Sequence, residues 1–168
     1  MRNMHSSSAT RISPRRPGHP MLAGLASLAL LAAAPPSSGA AETKQVFQSP
    51  DLPPGLPFSA AVRAGDTIYV SGAIGHVRGE PRLVPGGVGP ETEQALTYIK
   101  ETLERAGSSL DRVVKCTVFL ADIADFGPMN EVYRTFFPEA PPARSTVAVA
   151  GLALGARIEV ECIAMAGD

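Results

Sequence analysis

The last quarter of the chain constrains its fold most: two short runs of alternating polarity, residues 144–150 and 157–164, flank the link Gly151-Leu-Ala-Leu-Gly155-Ala156. Such alternation predicts strands, and a short glycine-bounded link predicts that they close as a hairpin. Arg144 heads the first run, directly after Pro141 and Pro142, and Glu159 and Glu161 lie on the second. A hairpin symmetric about Ala153-Leu154 pairs Ala148 with Glu159, Thr146 with Glu161 and Arg144 with Ile163. The arginine and both glutamates then share one face. Arg144 and Glu159 stand four residues apart in this register, about 13 Å at about 3.3 Å per residue. One small ligand reaches both only if the long side chains converge or if a neighbouring subunit supplies one of them.

An arginine at that position has no evident packing duty, and its planar guanidinium is shaped to hold a carboxylate through two parallel hydrogen bonds. The competing account is a cross-strand ion pair worth under about 1 kcal/mol. The pattern alone leaves both open.

Upstream, the period changes. Leu96, Ile99, Leu103 and Ala106 recur at spacings of three, four and three, with Pro90 and Glu91 at the start and Gly107 at the end, which predicts an amphipathic helix. A second helix is expected after Asp125 as N-cap, with Phe126, Met129, Tyr133 and Phe136 on one face, Pro128 in its first turn, and Pro138, Pro141 and Pro142 stopping it. Strands are expected at 58–63 and 67–72 around the Ala64-Gly65-Asp66 turn, at 82–84 as a short piece, and at 113–120, where dense apolar residues suggest a central place. Residues 41–55, with Pro50, Pro53 and Pro54, read as an extended lead-in. The order ββ(β)αβαββ predicts an α+β domain: one mixed, mostly antiparallel sheet with two helices on one face. The other face, carrying Ile163 and Met165, then needs a cover, which self-association supplies.

Residues 1–40 read as an export signal. Arg2, Arg11, Arg15 and Arg16 precede an uncharged apolar run over 21–34, ended by Pro35-Pro36 and small residues. The run is shorter than a membrane span requires. Arg15-Arg16 hints at the twin-arginine route, an ordinary secretory signal fits as well, and a disordered basic tail is the bland alternative. The expected location is periplasmic or secreted, ahead of cytoplasmic, with no membrane partner once the signal is removed. Residues 41–168 then form one domain. They carry 11 basic and 16 acidic residues, a balance that argues against nucleic acid or an anionic membrane as the main partner.

Cys116 and Cys162, the only cysteines, lie inside apolar strand-like runs. Buried thiols are the default reading, and a disulfide is open if the strands are neighbours in an oxidising compartment. His76 is the only histidine after residue 40, so no metal cluster of several histidines can form, and no metal or cofactor is expected.

Read in order, Ile68-Tyr-Val-Ser-Gly72, Glu104-Arg-Ala-Gly107, Val114-Lys-Cys-Thr-Val-Phe119, Asp125-Phe126 with Asn130, Tyr133 and Phe136-Phe137, Pro142-Ala-Arg-Ser145 and Ile158-Glu-Val-Glu161 resemble the RidA (YjgF-like) family of reactive-intermediate deaminases. The similarity covers nearly all of residues 41–168. It implies a chorismate-mutase-like α+β fold, a homotrimer with sites at subunit interfaces, and no cofactor. The implied reaction is hydrolysis of 2-imino acids, such as 2-iminopropanoate or 2-iminobutanoate, to 2-oxo acids and ammonia. It further implies that Arg144 binds the substrate carboxylate, that Glu159 positions and activates water, and that Ser71, Phe58 and Asn130 belong to the pocket. A turn hydroxyl and a helix-surface amide are the bland accounts of Ser71 and Asn130.

Departures from the family lie in the same region. Phe58 stands where active members usually carry tyrosine, Ala73 where glutamine is common after Ser-Gly, and Thr146 where cysteine often follows Arg-Ser. The usual imines also arise in the cytoplasm, which conflicts with export. These points keep a second reading in play, an exported non-catalytic binder or sensor of small carboxylates. A ribonuclease role fits poorly with the acidic balance.

Overall fold

The computed structural model describes residues 43–52 and 55–167; the export segment expected over 1–40 lies outside the described residues. The elements in chain order are β1 (Gln45–Phe47), β2 (Ala61–Ala64), β3 (Thr67–Ile74), α1 (Val88–Arg105), β4 (Val113–Leu120), α2 (Phe126–Phe136), β5 (Ala143–Ala148) and β6 (Ile158–Met165). Single 3-10 turns occupy Leu110–Arg112, Ile123–Asp125 and Ala153–Gly155. The strands form one six-stranded sheet in the order β1-β2-β3-β6-β4-β5. Every pair is antiparallel except β4 with β5. This is the mixed, mostly antiparallel α+β sheet expected.

Both helices cover one face. Leu96, Ile99 and Leu103 of α1 and Met129 and Tyr133 of α2 share a buried cluster with Ile68, Val70, Cys116, Val118, Ile158, Val160 and Cys162. Burying an aliphatic side chain of this size is worth about 1.5–3 kcal/mol, so the alternation in β3, β4 and β6 fixes which face turns inward. α1 begins at Val88, two residues before Pro90, and the proline is tolerated in the first turn. At its other end Gly107 has φ +74°, and the amides of Gly107 and Ser108 donate to the carbonyls of Glu104 and Leu103. That is a Schellman stop, and glycine supplies the left-handed residue it requires.

The expected β5–β6 hairpin does not form. β5 lies parallel to β4, with Arg144 opposite Cys116, while β6 lies between β3 and β4 and touches both. The reason is the crossover: a strand, a returning helix and a strand (β4, α2, β5) place the second strand parallel beside the first. β5 thereby takes one edge of β4, and β6 fills the gap between β4 and β3, two strand spacings from β5. The glycine-bounded link crosses the end of β4 through the Ala153–Gly155 turn, where Leu154 holds φ +58°. β6, more than β4, is therefore the central strand.

Smaller differences follow from side-chain competition. Asp125 does not cap α2; its carboxylate takes two hydrogen bonds from Arg157 at 2.8 Å each, and Asp122 caps the preceding turn through the Ala124 amide. The lead-in supplies an unexpected edge strand, β1, paired with β2. Phe58 lies ahead of β2, and the strand expected at 82–84 reduces to a bridge between His76 and Leu83. Cys116 and Cys162 sit directly opposite each other on β4 and β6, with Cα atoms 4.2 Å apart, and are joined as a disulfide.

Opposite the helices, no element among the described residues covers the sheet. Tyr69 and Met165 are 51% and 49% exposed, and Val147 is also open.

Candidate functional site at two separated positions

Glu159 projects from β6 on the bare face, in the row Ile74–Glu159–Phe119. Its neighbours Ile158 and Val160 point into the core, so its direction is dictated by strand alternation. Next to it, β3 carries an extra residue between Val70 and Ala73, a bulge at Ser71-Gly72. A Cβ at position 72 would collide with Oε1 of Glu159. The carboxylate therefore rests on the one strand position with no side chain, a close approach that glycine in a strand permits. Burial pushes the Glu159 carboxyl above its usual range, and the charge of Glu161 pushes it further the same way.

A cavity of about 460 Å³ opens beside Glu159. Phe58, Ser71, Gly72, Ile74 and Leu154 line it near the glutamate. The Ser71 hydroxyl donates to the Ser59 carbonyl at 2.7 Å and its amide to that of Ala60 at 3.0 Å. Ser71 thus ties the bulge to the chain ahead of β2 as well as facing the cavity.

Arg144 is elsewhere. Its partner Cys116 is buried on the helix side, so Arg144 emerges beneath α2. There its guanidinium lies 4.5 Å from the Tyr133 ring centre and 5.7 Å from that of Phe126, with Met129 Sδ at 4.0 Å. Among the described residues no carboxylate pairs with it. Two aromatic faces hold the plane in place and, apart from the weak contact of Nη1 to Met129 Sδ, leave its donors for a ligand. Burial raises the Tyr133 hydroxyl to about 12 against the opposing pull of Arg144, so it stays protonated. Asn130 lies on the same helix, partly exposed and outside the cavity lining, its carbonyl accepting from Arg134 Nε.

The expectation that Arg144, Glu159 and Glu161 share one face is therefore corrected. The glutamates stand on the bare face and Arg144 on the helix face, because β5 is registered against β4 and not β6. Glu159 lies opposite Phe119 and Arg144 opposite Cys116. Three residues along β4 and two strand spacings across it separate the pair by about 10 Å in each direction. The structure brings Glu159, Ser71 and Phe58 together and groups Arg144 with α2, which carries Asn130. It also adds Gly72 and Leu154, which sequence reasoning missed. A glycine inside an otherwise regular strand run was the available signal for the first.

Among the described residues no group of three or more His, Cys, Asp or Glu side chains gathers as a metal site. The arrangement offers instead a fixed cation, a partly desolvated carboxylate and an apolar cavity, the equipment of a binder or hydrolase of small organic acids.

Comparison with known proteins agrees with that class. The family profile described as Endoribonuclease L-PSP, the RidA/YjgF family, matches residues 49–166, and the chain belongs to this family. It is 48% identical over 111 residues to 2-iminobutanoate/2-iminopropanoate deaminase of Mus musculus, covering 66% of this chain and 82% of the mouse protein. The crystal structure of yeast Mmf1 superposes with a TM-score of 0.70 at 37% identity, over 74% of this chain and 99% of that one. E. coli TdcF with bound serine gives 0.67 at 30% identity, over 72% and 98%.

Proposed function

We propose that this chain is a hydrolytic deaminase of 2-imino acids, working as a homotrimer whose sites lie between subunits. Glu159 of one protomer and Arg144 of its neighbour would face the same ligand. The observation that carries the reading is that each of them is prepared for a role that its own protomer cannot complete. Glu159 is partly desolvated over Gly72 beside a cavity, and Arg144 is stacked and, among the described residues, without a carboxylate partner. The bare sheet face with Tyr69, Val147 and Met165 supports association, and relatives named as imine deaminases support the reaction.

The chemistry asks little of the protein. A protonated 2-imino acid is already electrophilic at C2, so holding its carboxylate and orienting one water supplies much of the rate. Arg144 pairs with the substrate carboxylate. Glu159, its proton affinity raised by burial, takes a proton from water as the oxygen bonds to C2. The same proton then goes to the nitrogen, and as the carbon–nitrogen bond breaks the C2 hydroxyl becomes the carbonyl and gives up its own proton, through Glu159, to the departing ammonia. Imine and water are consumed and 2-oxo acid and ammonium released, with no redox change.

Export is the second part of the reading. It is supported by the arginine-led apolar segment at 21–34 and by the Cys116–Cys162 bond, a pairing that persists where thiols are not kept reduced. The alternative, a carboxylate binder without turnover, is favoured by one observation, the Phe58 ring at the mouth, which has no hydroxyl to offer. Protein beginning near residue 41 should accelerate loss of 2-iminopropanoate or a larger 2-imino acid generated in place by an amino-acid oxidase. Rates equal to buffer for every imine, with 2-oxo acids still binding by calorimetry, would select the binder.

A further inference from the structure

We infer that the cavity beside Glu159 receives the substrate's side chain, and that this chain prefers 2-imino acids with a large apolar side chain, branched, thioether or aromatic, over those of three or four carbons. The inference rests on the deaminase reading and adds the substrate class. At about 460 Å³ the space lies within the range of about 300–1,000 Å³ that suits drug-sized ligands, far more than a methyl group fills.

Its lining runs from surface to core. Leu56, Phe58 and Leu154 at the mouth are 38%, 47% and 55% exposed, whereas Ala60, Val70 and Ile99 are buried. Ala60 and Ala73, both small, line it beside the bulge in β3, together with Ile99 and Thr102 of α1. Polar residues also line it, but apart from Glu159 they are largely engaged within the protein. Asp51 is held by Arg78 at 2.6 Å, Thr102 Oγ1 takes a hydrogen bond from Arg105 at 2.9 Å, and the Tyr98 hydroxyl donates to the His76 carbonyl at 3.0 Å. What faces the space is mostly carbon. An alkyl or aryl chain leaving C2 at Glu159 and turning inward would be desolvated there, whereas an acidic chain, facing the carboxylates of Asp51, Glu80 and Glu159, would lose water without gaining a partner.

Imines formed by amino-acid oxidase from alanine, 2-aminobutyrate, leucine, methionine, phenylalanine and glutamate are compared by kcat/KM. The leucine, methionine or phenylalanine product should exceed the alanine product by about 10- to 100-fold, the effect of burying one such side chain. Equal or better use of the alanine or glutamate product overturns the inference and leaves the deaminase reading standing. No acceleration of any imine removes both. Two variants locate the effect: Ala73→Val narrows the cavity at a strand position where a branched residue suits the backbone, and Leu56→Ser strips apolar surface from an exposed loop where folding is not at stake. Each should lower the ratio of leucine- to alanine-derived kcat/KM severalfold. Ratios unchanged in both would contradict the assignment.

Discussion

Arg144 and Glu159 leave opposite faces of one sheet, on strands held apart by β4, so the two groups expected to share a ligand do not share a surface within a protomer. Arg144 is poised by Tyr133 and Phe126, and its substitution separates binding from folding. Arg144→Ala should lower kcat/KM for imine hydrolysis by about 2–4 kcal/mol. Stability should fall by only about 1 kcal/mol, the worth of the lost stacking. Arg144→Lys keeps the charge but not the fork and should recover little. Steady-state rates beside urea unfolding check this; undiminished turnover in Arg144→Ala would remove the arginine from the site.

Gly72 should be as sensitive as the glutamate it supports. Gly72→Ala puts a methyl group where Oε1 of Glu159 lies, so the carboxylate must swing away. We expect kcat to fall at least tenfold with little change in 2-oxo acid binding, measured by calorimetry. A fully active alanine variant would mean that the resting place of Glu159 has no part in the chemistry.

Burial and Glu161 disfavour the ionised form of Glu159, raising its folded value above the unfolded one. The stability it contributes is therefore present below the unfolded value and is lost as pH rises through the folded value. Glu159→Gln should therefore melt higher than the parent at neutral pH, and this advantage should vanish in acid. In the parent, the acid limb of kcat/KM should fall above the ordinary glutamate range, and the variant should lack turnover. Melting curves from pH 4 to 8 that stay parallel for both proteins would contradict the account.

The Cys116–Cys162 bond closes a loop across a sequence separation of 46. Its removal by the double change to alanine should cost about 2–4 kcal/mol. Urea midpoints of the oxidised parent and the double variant measure this. Coincident curves would mean that the two sulfurs are not bonded in solution.

Much of this was legible in the sequence, for identifiable reasons. Period-3.6 spacing with Gly107 behind it gave α1 to within two residues, and the aromatic face of α2 was readable from Phe126 to Phe136. A short glycine link points locally to a β5–β6 hairpin, whereas the partner of β6 is chosen by the β4–α2–β5 crossover and by burial of Ile158, Val160 and Cys162. The face of Arg144 was lost with it, since side-chain direction follows register. Asp125 had the right residue type for a cap, yet Arg157, 32 positions away, claimed its carboxylate. Sequence motifs named Arg144 and Glu159; only topology places them apart.

That separation makes the central claim directly testable by subunit mixing. Arg144→Ala and Glu159→Gln proteins, each inactive alone, are unfolded, combined in equal amounts and refolded, and imine hydrolysis is compared with the refolded parent. If each site takes its arginine and its glutamate from different protomers, random mixing leaves about one site in four with both native groups, and about a quarter of parental activity should return. Activity no higher than that of either variant alone would contradict a shared site.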